Sequence, residues 1–152
     1  MKDMKSAYPG AIEVIPHNAP ILRGKSILMS CFVDANYTSD KITRRSQSGI
    51  IIYCNTAPIR KDKIFRSGCV ALRVAIERIV SLRYKLRMCG IPIDGHIDVH
   101  YDNEPVYKNV SHVDSQLKKK RNSICYHRVR EAVAAGTICV HKVQSVYHLT
   151  DI

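Results

Sequence analysis

The most informative stretch for the fold of this chain is SILMSCFVDAN, residues 26–36. From residue 27 to residue 33 it is mostly apolar, with β-branched and aromatic side chains, and it ends in the carboxylate of Asp34. That length and composition predict a buried β-strand. Because sites in such sheets gather where strands end, Asp34 is the first candidate for chemistry.

Further strands are predicted directly after it. Gly49 opens a second apolar run, IIIYC at residues 50–54, and the turn residues NTAP at 55–58 follow. A hairpin is therefore the simplest connection between the first two strands. A short third strand is predicted before the first long helix, within residues 60–65.

The second half of the chain alternates helices with strands. Ser67–Cys89 predicts the longest helix, because its apolar residues recur every three or four positions until Gly90 stops it. The other predicted elements are a strand at Ile97–Tyr101, a short helix to Asn109, a helix at Leu117–Ala135 and a strand at Thr137–Val143. The order β-β-β-α-β-α-α-β predicts an α/β fold, with a mixed central sheet and helices on both of its faces.

Length and charge describe one basic domain. The 152 residues, 45% of them hydrophobic, suffice for a single core. Prolines and glycines interrupt Met1–Lys25, which predicts an extended leader before a domain at residues 26–152. The 24 Lys and Arg against 13 Asp and Glu give a net charge of +11. Such a surface attracts polyanions, of which nucleic acid is the commonest; a merely solvated basic surface is the alternative.

The cysteines and the hydropathy of the sequence indicate which cellular compartments the protein fits. The six cysteines form no C-x-x-C pair and lie in apolar stretches, so buried free thiols in a reducing, intracellular compartment are expected. The nucleus, the cytoplasm and an organelle all fit. The sequence has no apolar run of the roughly 20 residues that a membrane span needs, and no phosphate-binding loop or nucleophile elbow.

Two aspartates each follow a predicted strand. Asp34 comes after Cys31-Phe32-Val33, and Asp102 comes after Val99-His100-Tyr101. Two strand-end carboxylates suit Mg²⁺, a hard cation that prefers oxygen ligands. The alternative is that each aspartate only terminates its strand, since aspartate is common in turns.

An ordered series of motifs resembles the ribonuclease H domain of Copia-type retrotransposon polyproteins, which also contain a reverse transcriptase. The resemblance covers residues 12–151, nearly the whole chain. The motifs that carry it are FVDA at 32–35, TRRSQSG at 43–49, API at 57–59, LRYKLRM at 82–88, YDNE at 101–104, LKKKRN at 117–122 and YHRVRE at 126–131.

The resemblance implies a catalytic and metal-binding set. Ribonuclease H enzymes use four carboxylates to hold two Mg²⁺ ions and cleave the RNA strand of RNA–DNA hybrids. Carried over by motif, the first carboxylate is Asp34, the third is Asp102 and the fourth is Asp151 in the ending LTDI. The second, a glutamate early in the long helix, falls on Gly68.

Other departures from the family pattern also indicate that the catalytic set is incomplete. The strand before Gly68 is shortened, the chain has no tryptophan, Arg121 replaces a histidine, and the chain stops one residue after Asp151. The resemblance therefore implies a degenerate copy, truncated at its C-terminus. We expect it to be inactive as an enzyme and to bind Mg²⁺ weakly or not at all.

Basic residues are candidates for nucleic-acid contact. The candidates are Arg44, Arg45, Asn103, Lys118, Lys119, Lys120 and Arg121, with Arg128 and Arg130 further along the helix. A solvated helix face is the alternative for the lysine run. Two other functions stay open beside the retrotransposon remnant. One is a recruited nucleic-acid-binding or structural subunit of a ribonucleoprotein, and the other is a working nuclease with Asp62 or Glu77 as the replacement acid.

Two further pairs of residues are weak candidates for a site. Cys125 and His127 lie about 200° apart on a helix, so a shared metal or thiol site is not expected. His96 and His100 flank a predicted strand and are expected to be surface residues.

Overall fold

The computed structural model describes residues 4–36, 47–64, 67–115 and 120–143. The described helices are α1 Met4–Ala7, α2 Gly68–Met88, α3 Glu104–Ser111 and α4 Lys120–Ala134, and the described strands are β1 Met29–Asn36, β2 Gln47–Cys54, β3 Ala57–Ile64, β4 Ile97–Tyr101 and β5 Ile138–Lys142. From β1 onward this is the order predicted from the sequence, but β3 is as long as β1 and β2, so the prediction of a short third strand within residues 60–65 was wrong.

The strands form one mixed sheet in the order β3-β2-β1-β4-β5. The first three strands are antiparallel neighbours, as the hairpin prediction required. β4 and β5 run parallel to β1, because the helices that precede them return the chain to the same end of the sheet. The α/β fold with a mixed sheet and packed helices is therefore confirmed.

The core lies between the sheet and the helices α2 and α4. Cys31 and Val33 of β1 and Ile50 and Ile52 of β2 are fully buried, as alternation along a half-buried strand requires. α2 contributes its apolar stripe, which includes Leu72 and packs against β1, β2 and α4. Alternate residues of the same strands, such as Phe32, lie on the other face and are only partly buried.

The central strand continues past the point where the sequence predicted its end. Its parallel pairing with β4 stops at Val33 and Tyr101, but its antiparallel pairing with β2 continues through Asp34 to Asn36. Asp34 therefore ends one ladder while remaining inside the other. This pairing holds the carboxylate in a rigid part of the sheet.

Residues 4–25 lie against the helices. α1 contacts α4, and the Tyr8 hydroxyl lies 2.6 Å from Nδ1 of His127. Glu13 forms ion pairs with Arg83 and Arg87 of α2. The single helical turn of α1 was not predicted, and a domain boundary at residue 26 stays a prediction. Within the described ranges, no helix is long and apolar enough to span a membrane.

Candidate active site at the strand ends

Asp34 and Asp102 lie at the same end of two neighbouring strands. Val33 of β1 pairs with Tyr101 of β4 in parallel register, so the residue that follows each of them is an aspartate. Neighbouring strands are about 4.8 Å apart, which brings the two carboxylates into one small region. Asp34 is buried and Asp102 is half-buried. Because β1 and β4 are neighbours in the sheet, the two aspartates lie on adjacent strands.

The phenol of Tyr101 lies close enough to both aspartates for their charges to affect its pKa. Burial is the largest cause that raises the pKa of Tyr101, and the charges of Asp102 and Asp34 raise it further. Both carboxylates therefore act on the same phenol. Tyr101 is fully buried and stays protonated, which excludes it as a base near neutral pH.

The amino-terminal end of α2 lies beside the same phenol. Cys69, the second residue of the helix, is buried and is among the groups that act on Tyr101. Gly68 is the first helical residue, so it lies at the same end of the sheet as the aspartates. The first turn of α2 contains no acidic residue, and Ser67 makes no side-chain capping bond. The helix end that faces the site therefore supplies no carboxylate.

The cysteines near this end offer no reactive thiol. Burial raises the pKa of Cys69 to about 12, with Cys125 adding to the shift. Burial alone raises the pKa of Cys31 to about 12. A thiol with such a pKa is almost wholly protonated near neutral pH and is a poor nucleophile. All six cysteines are unpaired with one another, as predicted, but only Cys31, Cys69 and Cys125 are buried, and Cys89 is exposed.

Neither candidate replacement acid reaches the strand ends. Glu77 lies nine residues after Gly68, roughly 13 Å along the helix, and it pairs with Arg73 at 2.8 Å. Asp62 lies on β3, two strands away from β1, and its carboxylate is 2.7 Å from Nε of Arg60. These placements leave the position of Gly68 unfilled by either side chain.

Two residues directly after Asp102 have structural contacts. Asn103 is the N-cap of α3, and its side-chain oxygen accepts a hydrogen bond from Val106 N at 3.2 Å. Glu104 receives bonds from Lys108 and Lys142, which lower its pKa to about 2. The contact with Lys142 could not be predicted from the sequence, because Lys142 lies 38 positions from Glu104, in β5.

Arg130 was wrongly interpreted as a residue that meets phosphates. Only 3% of it is exposed, and its guanidinium donates to the carbonyls of Asn109, His112 and Val113. It therefore fixes the loop after α3 and cannot reach a ligand in solution. Arg128 is exposed but lies 3.4 Å from Glu131.

The remaining predicted residues fall outside what is described. Asp151, Arg44, Arg45, Lys118 and Lys119 lie in segments for which no placement is given. The backbone of Lys120 and Arg121 begins α4, without described side chains. Their proposed contacts stay predictions. Cys125 is buried and His127 is exposed, so the two do point apart, as expected.

Comparison with solved structures identifies the fold. The N-terminal RNase H domain of a Mycobacterium tuberculosis protein, solved as a fusion with maltose-binding protein, is similar with a TM-score of 0.59 and 11% identity, over 80% of this chain and 86% of that one. An RNase H1 isolated from compost, solved in complex with an RNA/DNA hybrid, has a TM-score of 0.55 and 12% identity, over 80% and 88% of the two chains. RNase H1 from the archaeon Halobacterium salinarum has a TM-score of 0.51 and 14% identity, over 78% and 86%.

The chain therefore has an α/β ribonuclease H-like fold. At 11–14% identity, the fold is the feature that these proteins share with it. A comparison with known protein families finds no match.

Proposed function

We propose that this chain is a degenerate ribonuclease H domain of Copia retrotransposon type, which binds RNA–DNA hybrid or duplex but cleaves it weakly or not at all. The observation that carries the proposal is the amino-terminal end of α2. It lies at the strand ends beside Asp34 and Asp102, and it presents Gly68 where the resemblance expects a glutamate.

The ligands at the strand ends suit one cation better than two. Asp34 and Asp102 offer the oxygen donors that Mg²⁺ prefers, and Asp151 is the proposed third ligand. Cleavage by a metal pair requires both ions to be held about 3.5–4 Å apart, one to activate water and one to stabilise the leaving oxygen. Glycine supplies no side-chain oxygen, so the donor set at this end does not fit the pair.

Binding is proposed to survive because it depends on different groups. The net charge of +11 favours association with a polyanion regardless of the metal ligands. The proposed contacts are Asn103 and Lys118–Arg121, together with Arg44 and Arg45. Of these, Asn103 lies just after β4, and Lys120 and Arg121 begin α4.

The salt dependence of hybrid binding tests this part of the proposal. Each neutralised phosphate contributes about −0.9 to the slope of log affinity against log salt. Replacing Lys118, Lys119 and Lys120 with alanine should reduce that slope by up to about three units. Fluorescence anisotropy with a labelled hybrid measures it, and affinity should fall for all sequences alike.

A charge-matched control separates local contact from net charge. Arg23, Lys25 and Lys85 are exposed and lie at the opposite end of α2 from Gly68. Their replacement by alanine removes the same three charges and should change the slope much less. Equal slopes for the two triple variants would show that the lysine run is only a solvated face.

A further inference from the structure

Four side chains with metal-binding atoms meet on the partly exposed face of the sheet, at its β5 edge. They are His96, directly before β4, Asp98 in β4, and Cys139 and His141 in β5. Asp98 pairs with Cys139 in the parallel register, and residues two apart along a strand point to the same face. The topology thus places an H-x-D segment beside a C-x-H segment.

The distances within this cluster are short. One ligand atom from each of His96, Asp98 and Cys139 lies within 4.8 Å of the other two. Nε2 of His141 lies 2.7 Å from Oδ1 of Asp98, and Nε2 of His96 lies 3.3 Å from the same oxygen. Zinc bonds of about 2.0–2.3 Å in a tetrahedron place ligand atoms about 3.5 Å apart. The ligand atoms of His96, Asp98 and Cys139 need to draw together by only about 1 Å to reach that spacing, and His141 joins them through its contact with Asp98.

Stacked rings hold His141 in place. Its imidazole stacks on that of His100, with centroids 5.6 Å apart, and His100 stacks on Phe32 at 4.5 Å. Fixing the ring orientation of a histidine is how proteins prepare a metal ligand before the ion arrives. The stack on His100 and the contact with Asp98 therefore fix the position of the His141 imidazole beside the cluster.

We propose that His96, Asp98, Cys139 and His141 form a zinc site that joins β4 to β5. Imidazole nitrogen and thiolate sulfur are donors that Zn²⁺ accepts and that Mg²⁺ and Ca²⁺ disfavour. The site lies on the opposite face of β4 from the core-facing Tyr101, and it does not depend on ribonuclease H chemistry. The competing account is a pair of surface His–Asp ion pairs, which need no metal.

Cobalt substitution tests the proposal on untagged protein. Co²⁺ bound by a thiolate gives a near-ultraviolet charge-transfer band and the visible bands of a four-coordinate ion. Both should appear at one equivalent and disappear when Zn²⁺ is added. Cys139→Ser should abolish the charge-transfer band, and His96→Ala or His141→Ala should weaken Zn²⁺ binding by about tenfold or more.

Two matched variants show whether the site is specific. Cys89→Ser removes an exposed cysteine elsewhere and should leave the cobalt spectrum unchanged. Asp34→Asn should also leave it unchanged, which separates this site from the strand-end aspartates. No charge-transfer band in the wild type, or a band that survives Cys139→Ser, would overturn the proposal.

A second measurement uses only the wild-type protein, so it does not depend on whether a variant folds. Zn²⁺ should slow alkylation of Cys139 by iodoacetamide while the alkylation of Cys89 stays the same, as measured by peptide mass spectrometry. Equal rates at Cys139 with Zn²⁺ and with a chelator would contradict a zinc–thiolate bond.

Discussion

The two ends of helix α2 differ in how completely they are capped by hydrogen bonds. At the carboxyl end, Gly90 N donates to Arg87 O at 2.9 Å and Ile91 N donates to Leu86 O at 3.0 Å. These two bonds, with φ of +73° at Gly90, form a Schellman cap. At the amino end, Ser67 makes no side-chain cap and the first turn has no acidic residue.

The two ends of α2 also differ in their ion pairs. Near the carboxyl end, the buried Arg83 pairs with Glu13 and donates to Gly95 O at 2.9 Å, while Arg87 binds the same glutamate. At the amino end, the helix begins with Gly68 beside two aspartates. The contacts that stabilise the helix therefore lie at its carboxyl end, while its amino end presents Gly68 where the resemblance expects a glutamate.

Breaking the stabilised end should have the largest effect. Glu13→Ala leaves Arg83, only 3% exposed, without its carboxylate. Removing one partner of a buried pair costs about 3 kcal/mol or more of unfolding free energy. Glu77→Ala, which breaks the exposed pair with Arg73, should cost less than about 1 kcal/mol. Urea denaturation of the two variants checks this, and equal losses would refute the assigned role of Glu13.

The same ion pair predicts a pH dependence. Burial opposes ionisation of Glu13, but the guanidiniums of Arg83 and Arg87 outweigh it and lower the pKa below its ordinary value of 4.5. A lowered folded-state pKa means that the stabilisation is complete above 4.5 and is lost as the pH falls through the folded value. The difference in melting temperature between wild type and Glu13→Gln should therefore shrink in acid. A difference that grows in acid would show that the sign is wrong.

The same substitution at the two ends of α2 should give opposite, smaller effects. Gly90→Ala forces a Cβ into a left-handed conformation and within 3.2 Å of Ile21 O, which should cost about 1–2 kcal/mol. Gly68→Ala lies in ordinary helix and should stabilise by about 0.5 kcal/mol. Thermal unfolding measures both changes. A loss at Gly68 would show that its neighbours leave no room for a side chain.

Local pattern was enough to predict most of the fold. The apolar runs at residues 27–33 and 50–54 and the helical spacing after Ser67 are properties of short segments. The positions of Asp34 and Asp102 directly after apolar runs were also visible in the sequence. β1 was predicted to end too early because its ladder with β2 outlasts its ladder with β4.

Contacts between distant segments could not be predicted. An arginine such as Arg130 can bind phosphate, and its sequence context does not show otherwise. Its structural role is visible only from its hydrogen bonds to backbone carbonyls within residues 109–113. Glu13 and Arg83 are 70 positions apart, and Asp98 and His141 are 43 apart. His96 was expected to be a surface residue, and it is exposed, but its neighbours across the strands were not visible in the sequence.

The proposal that this chain binds an RNA–DNA hybrid but cleaves it weakly or not at all is tested most directly by single-turnover cleavage. The assay uses protein in excess and Mg²⁺ or Mn²⁺. Anisotropy on the same sample verifies that the hybrid is bound. We predict that bound hybrid stays uncut, or is cut very slowly, and that Gly68→Glu alone restores little because the preceding strand is also altered. Robust Mg²⁺-dependent cleavage that disappears in Asp34→Asn would contradict the account.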